Sequence, residues 1–181
     1  MLNGKPYRHF IDPTLFEERK QCRAALERFN NAARPSAGSS SEECNRLFRM
    51  IVEPPDVKRR HTTADPVGSV GERVIVESPF TCDYGYNINI GDDVVIQSGC
   101  VIVDPCKITI GSRTMIGPNV RFYGMTAPMD PKLRNGSQGM VYGGTITIEE
   151  DCFIGGDVII LPNRTIKKGS VVGAGTTVSK V

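Results

Sequence analysis

From about Gly71 onward, aliphatic residues return every six positions. Ile90, Ile96, Ile102 and Ile108 form one run, and Ile110, Ile116 and Phe122 continue it after a two-residue slip. Ile148, Ile154, Ile160, Ile166, Val172 and Val178 form another without a break. Glycine often follows the aliphatic residue, as at Gly91, Gly111, Gly117, Gly155 and Gly173. Four positions after the aliphatic residue comes a small or apolar one: Val94, Cys100, Cys106, Thr114, Val120, Cys152, Val158, Ser170 or Thr176. Six residues supply one short strand and a turn, and three such units close a triangular coil. One coil cannot bury its own faces, so coils must stack. The pattern predicts a mainly β fold, a parallel β-helix of hexapeptide repeats.

Before that point the rhythm is helical. Asp12-Pro13 predicts a helix start, with aspartate as N-cap and proline at the first position. Leu15, Phe16, Cys22, Ala25, Leu26 and Phe29 follow at helical spacing, to about Asn31. Pro35 to Ser40 reads as a linker. Ser41 is the predicted cap of a second helix, from Glu42 to about Ile51, which Pro54-Pro55 ends. The predicted division is an N-terminal helical segment and linker over 1–70, and a repeat domain over 71–181 with an external loop at about 123–147.

The repeat breaks between Phe122 and Ile148, 26 positions apart. On the repeat logic this gap is one coil of about 18 residues and an outward insertion of about eight. The insertion carries MTAPMDPKLRNGSQG, rich in loop-formers.

Composition narrows the function. A net charge of +2 over 181 residues gives no argument for nucleic acid, and Lys58-Arg59-Arg60-His61 reads as a solvated linker. There is no apolar run near 18 residues and no secretory h-region, so a cytoplasmic protein without membrane contact is expected. The six cysteines form no CxxC pair and have no histidine at zinc spacing. They read as reduced thiols, with Cys100, Cys106 and Cys152 as core filler, and no metal is expected.

Three features add a resemblance. They are the segment Gly4-Lys5-Pro6-Tyr7-Arg8 leading into two helices, the motif Cys82-Asp83-Tyr84-Gly85-Tyr86-Asn87-Ile88, and the external loop with Asp130-Pro131-Lys132-Leu133-Arg134-Asn135. With the repeats, they make the chain similar over nearly its whole length to the maltose, galactoside and nodulation O-acetyltransferases. That resemblance implies a left-handed β-helix, a homotrimer, active sites between subunits, acetyl-CoA as co-substrate and a small hydroxyl compound, such as a sugar, as acceptor. It also implies a loop histidine that takes the acceptor's proton. Imidazole titrates near neutrality and is suited to that work, which is typically worth about 10²–10⁴-fold.

Position by position, the resemblance puts Ala127 where the family has its catalytic histidine, between Thr126 and Pro128. Gln97 stands for an asparagine facing acetyl-CoA and acceptor. Asp104 is kept, Pro105 replaces an acid found in some members, and Phe153 replaces a tryptophan. Asp83 and Tyr84 match the acceptor side, and Gly156, Ala174, Ser179 and Lys180 match the CoA groove. A further coil and basic tail found in the family do not follow here. His9 falls where the family supplies a polar group to the acceptor pocket, although a histidine ahead of a helix is ordinarily a surface residue. Three readings follow. One is an O-acetyltransferase with another base, or with an engineered Ala127. Another is a CoA-independent enzyme of isomerase or cyclase type, using His9, Asp83 and Asp130. The last is a non-catalytic scaffold.

Overall fold

The computed structural model describes residues 5–55 and 68–179. The expectations placed on Gly4, Lys58 to His61 and Lys180 lie outside the described residues.

Three parallel sheets of five strands each form the sides of a prism. The first sheet stacks Ser69–Val70, Ile88–Ile90, Ile108–Ile110, Ile146–Ile148 and Arg164–Ile166. The second stacks Ile75–Val76, Val95–Ile96, Met115–Ile116, Phe153–Ile154 and Val171–Val172. The third stacks Phe80–Cys82, Cys100–Val103, Arg121–Tyr123, Ile159–Ile160 and Thr177–Val178. The fold is thus the hexapeptide-repeat β-helix that the period of six predicts.

Register explains the period. Val70, Ile90, Ile110, Ile148 and Ile166 share one inward column. Val76, Ile96, Ile116, Ile154 and Val172 share the second, and Cys82, Ile102, Phe122, Ile160 and Val178 the third. Ile108 does not continue the run from Ile102. It belongs to a further buried column with Ile88 and Ile146, two residues ahead of the first. The third corner takes eight positions from Cys82 to Ile90 and again from Ile102 to Ile110, which accounts for the slip.

The predicted extra coil does not exist. Ile110 pairs directly with Ile148, and Phe122 with Ile160. The whole break between Phe122 and Ile148 is therefore one enlarged third corner. Spacing in the sequence cannot separate a coil from an excursion of the same length; strand pairing does.

Helices α1 (Pro13–Ala32) and α2 (Ser41–Val52) close one end of the prism. Asp12 caps α1, accepting from the N–H groups of Thr14 and Leu15 at 2.9 and 3.0 Å. The cap of α2 is Ser40, one residue earlier than predicted. Its Oγ accepts from Glu43 N–H at 3.2 Å, and Glu43 stands at the third helical position, the spacing of a capping box. A coil stack ends in an open edge of unpaired backbone groups and exposed core. Asn30 satisfies that edge on both sides: Nδ2 donates to Phe80 O (2.8 Å) and Oδ1 accepts from Phe80 N–H (2.9 Å). Arg49 donates to the carbonyls of Val70 and Gly71 at 2.7 and 2.6 Å. Phe29, Phe48 and Phe80 stack between helices and coil, with centroids 5.5 and 5.3 Å apart. Cys22 of α1 lies with its Sγ 3.6 Å from that of Cys82. Cys100, Cys106 and Cys152 are buried and form no disulfide.

Candidate active site

The three corners of the prism differ in chemistry. The first, between the first and second sheets, is a column of charges. Arg73, Asp93, Arg113 and Asp151 all have positive φ there, between 52° and 61°. Arg73 holds Asp93 with two hydrogen bonds of 2.6 and 2.7 Å, and Arg113 holds Asp151 at 2.6 and 3.0 Å. Lys168 adds a contact of 3.5 Å to Asp151.

The second corner is built of small residues packed tightly from coil to coil. A Cβ at Gly117 would stand 2.6 Å from the backbone N of Gly156. Gln97 and Ala174 are exposed on this column and Gly156 is half-buried. These are three of the residues assigned to CoA. Stacked coils repeat at about 4.8 Å, so the three-coil span from Gln97 to Ala174 is roughly 14 Å of shallow surface on which an extended chain can lie. Ser179 is exposed just past the last strand of the third sheet, away from this column.

The third corner gathers the titratable groups. Asp104 is fully buried and accepts from the backbone N–H groups of Asp83, Tyr84 and Gly85 at 2.9, 3.0 and 2.8 Å. Burial pushes its carboxyl up to about 8, against the pull of those donors. Asn87 donates to the Asp104 carbonyl at 2.7 Å. This frame fixes Asp83 and Tyr84 at the mouth of the corner. Burial raises the Asp83 carboxyl, while Arg19 and Arg23 oppose the shift.

From α1, Arg19 reaches the same place. Its Nη1 donates to the Tyr84 hydroxyl at 2.7 Å, and its guanidinium carbon lies 5.7 Å from the Tyr84 ring centre. The N-terminal segment closes the corner from the other side. Tyr7 and Val141 exchange backbone hydrogen bonds of 3.0 Å each, so the segment runs beside the returning arm of the external loop. His9 is only 7% exposed, stacked edge-on against Phe10 with centroids 4.7 Å apart. It is therefore a buried residue rather than the surface histidine its position suggests. Burial first, then Arg19 and Arg23, push its pKa down to about 4. His9 Nδ1 and Tyr7 Oη are both buried and without a hydrogen-bond partner.

The external loop leaves and returns through this corner as a short antiparallel ladder, Met125–Thr126 with Tyr142–Gly143. Between them lies helix α3 (Pro131–Arg134), which Asp130 caps by accepting from Lys132 N–H at 2.9 Å. Ala127 is exposed immediately after Thr126. The corner thus brings together His9, Asp83 and Tyr84, with the Ala127 loop rooted beside them. Gln97 and Gly156 stand at the far end of the third sheet. Tyr7 and Arg19 escaped the sequence reading. Arg19 looks like one more charge on the polar face of α1, and only its place three residues before the buried Cys22 marks the inward side.

A β-helix of hexapeptide coils, capped by two helices and carrying one long corner loop, defines the class of molecule. Residues 1–54 match the maltose acetyltransferase hexapeptide capping motif, and residues 145–180 match the bacterial transferase hexapeptide, six repeats. Nodulation protein L of Rhizobium leguminosarum bv. viciae is 36% identical over 165 residues, 91% of this chain and 75% of that protein. The crystal structure of a maltose O-acetyltransferase from Clostridium difficile 630 superposes with a TM-score of 0.83 at 35% identity, covering 99% of this chain and 84% of that one. A hexapeptide-repeat acetyltransferase from Vibrio cholerae, complexed with acetyl coenzyme A, gives 0.79 at 28% identity over 99% and 85% of the two chains. The chain belongs to the maltose/galactoside O-acetyltransferase family of hexapeptide-repeat proteins. Among the described residues, no helix is long and apolar enough to cross a membrane, and no group of three or more His, Cys, Asp or Glu could hold a metal ion.

Proposed function

We propose that this protein transfers acetyl from acetyl-CoA to a hydroxyl of a small acceptor, in clefts between the subunits of a homotrimer. The observation that carries this reading is the pairing of two separate sites on one family scaffold. The small, exposed second corner suits the extended arm of acetyl-CoA, and the polar third corner suits an acceptor. Gln97, Gly156 and Ala174 would hold the co-substrate, with Ser179 and Lys180 towards the end of the chain. Acetyl-CoA would supply the thioester carbonyl that the acceptor hydroxyl attacks. Asp83, Tyr84 and His9 would orient that acceptor.

Support for the homotrimer comes from the outer face of the second sheet. Ile75, Val95, Met115, Phe153 and Val171 stand in register there. Four of them are large and exposed: Ile75 58%, Met115 51%, Phe153 46% and Val171 74%. The first sheet presents Ser69, Asn89, Thr109, Thr147 and Thr165 at the matching positions. An apolar ladder on this face, against the polar one of the first sheet, suits contact with a second copy. Phe153→Glu with Met115→Glu should reduce the mass measured by light scattering to that of one chain. An unchanged mass would move the interface elsewhere.

Ala127 occupies the loop place of the family's imidazole and cannot accept a proton. His9 Nδ1 has no hydrogen-bond partner, but with its pKa near 4 the imidazole is a weak base at neutral pH. Acetyl transfer should therefore be slow. Ala127→His should raise it about 100-fold or more, the ordinary contribution of a placed general base. His9→Ala should abolish the residual rate if His9 has taken over the role. Calorimetry with acetyl-CoA decides first. No binding at millimolar concentration would sink the transferase reading in favour of the CoA-independent or non-catalytic one, which the alanine at position 127 favours.

A further inference from the structure

Arg19 is a cation without a contact ion pair among the described residues. It is only 6% exposed. Its hydrogen bond is to a neutral phenol, Tyr84, and it makes no ion pair among the described residues. Buried guanidinium groups are normally paired, because desolvating a lone charge is costly. The flat contact with the Tyr84 ring offsets part of that cost.

Neither carboxylate nearby completes the pair at contact distance. Asp104 is held by three backbone N–H groups. Asp83 feels the field of Arg19 and Arg23 but makes no ion pair with either. Beside Arg19, the N-terminal segment supplies no acid. It presents His9 and Tyr7, both more than nine-tenths buried, each with a polar atom that has no partner. Arg23 adds a second positive charge one turn along α1. The corner therefore holds a buried cation with no contact ion pair among the described residues, the Asp83 carboxylate acting only at longer range, beside two unused hydrogen-bonding groups.

We infer that the third corner accepts a hydroxyl compound that also carries an anionic group, a carboxylate or a phosphate, which pairs with Arg19 while Tyr7 and His9 bind the neighbouring polar atoms. The inference rests on the acceptor role proposed above and names its charge class. Arginine's planar fork matches either anion. Arg19 acts here as a specificity residue and takes no part in bond-making.

The test is titration calorimetry on the full chain with three probes: a hexuronate, a hexose phosphate and the parent neutral hexose. At least one anionic probe should bind tenfold or more tighter than the neutral sugar, and that preference should shrink with added salt. The two anionic arms tell carboxylate from phosphate. Arg19→Gln should remove the preference, and Arg19→Lys should keep part of it. Since Arg19→Gln also cuts the link to Tyr84, His9→Asp serves as a second variant. A carboxylate placed beside Arg19 should abolish the anion preference while leaving that link intact. Equal or tighter binding of the neutral hexose, no binding of either anionic probe at millimolar concentration, or a preference unchanged in His9→Asp would overturn the inference. CoA titrated into the same samples keeps the two readings apart. CoA binding without anion preference rejects only the charge class. Anion preference without CoA binding rejects only acetyl transfer.

Discussion

The first and third corners of the prism solve the same geometric problem in opposite ways. Both turn the chain between sheets, coil after coil. At the first corner every turn is short, and Arg73 and Arg113 each meet an aspartate of the next coil. At the third corner the turn is longer, a carboxylate is buried beneath three N–H groups, and a guanidinium, an imidazole and a phenol sit with unmet demands. A repeat keeps its regularity where neighbouring coils satisfy one another, and the polar groups left for an acceptor are found where they do not.

The sharpest way to break this comparison is at Asp104. Asp104→Ala leaves three N–H groups without an acceptor, two of them buried and that of Asp83 partly so, and each unmet buried donor costs about 1–3 kcal/mol. Denaturant unfolding should show a loss of about 3 kcal/mol or more. A loss no larger than that of a first-corner variant would erase the distinction between structural and functional turns.

A smaller effect concerns pH. His9 is neutral in the folded protein down to about 4, whereas an unfolded histidine binds its proton near 6.5. Between those values the unfolded chain holds the extra proton, so this group makes stability rise with pH and fall on acidification from about 6.5 to 4. His9→Gln should flatten the melting temperature over that window relative to the parent chain. Identical slopes in the two proteins would mean His9 titrates normally. The smallest effect belongs to the first corner. Arg113→Gln breaks a fully exposed pair, so its melting temperature should drop only slightly at low salt and match the parent's at about 1 M salt, where charges are screened within about 3 Å.

The coil stack was largely legible because the repeat returns an inward position every six residues, filled here by Ile, Val or Phe and once by Cys82. Helix α1 was legible for a similar reason: Asp12 and Pro13 are unambiguous at a helix start. The third corner was not. Its eight-residue turns looked like a slip, and its long excursion had the length of a coil and a half. The inward side of Arg19 was hidden because charge on a helix is usually solvated. His9 read as exposed because burial there depends on Val141, more than 130 positions away in the sequence, pairing with Tyr7. Local pattern reports what neighbouring residues share, and the candidate site is made from residues that share nothing in sequence.

The direct pairing of Ile110 with Ile148 carries one more lesson. The prism does not register how much chain the excursion adds between them, since its two arms leave and return side by side, Met125 against Gly143 and Thr126 against Tyr142. Closing a longer loop costs only about 0.6 kcal/mol for each doubling of its length. The third corner is thus a socket: a segment of another length or composition can be grafted between Thr126 and Val141 without disturbing the register of the three sheets, and a new acceptor preference could be installed in this scaffold by exchanging that one piece.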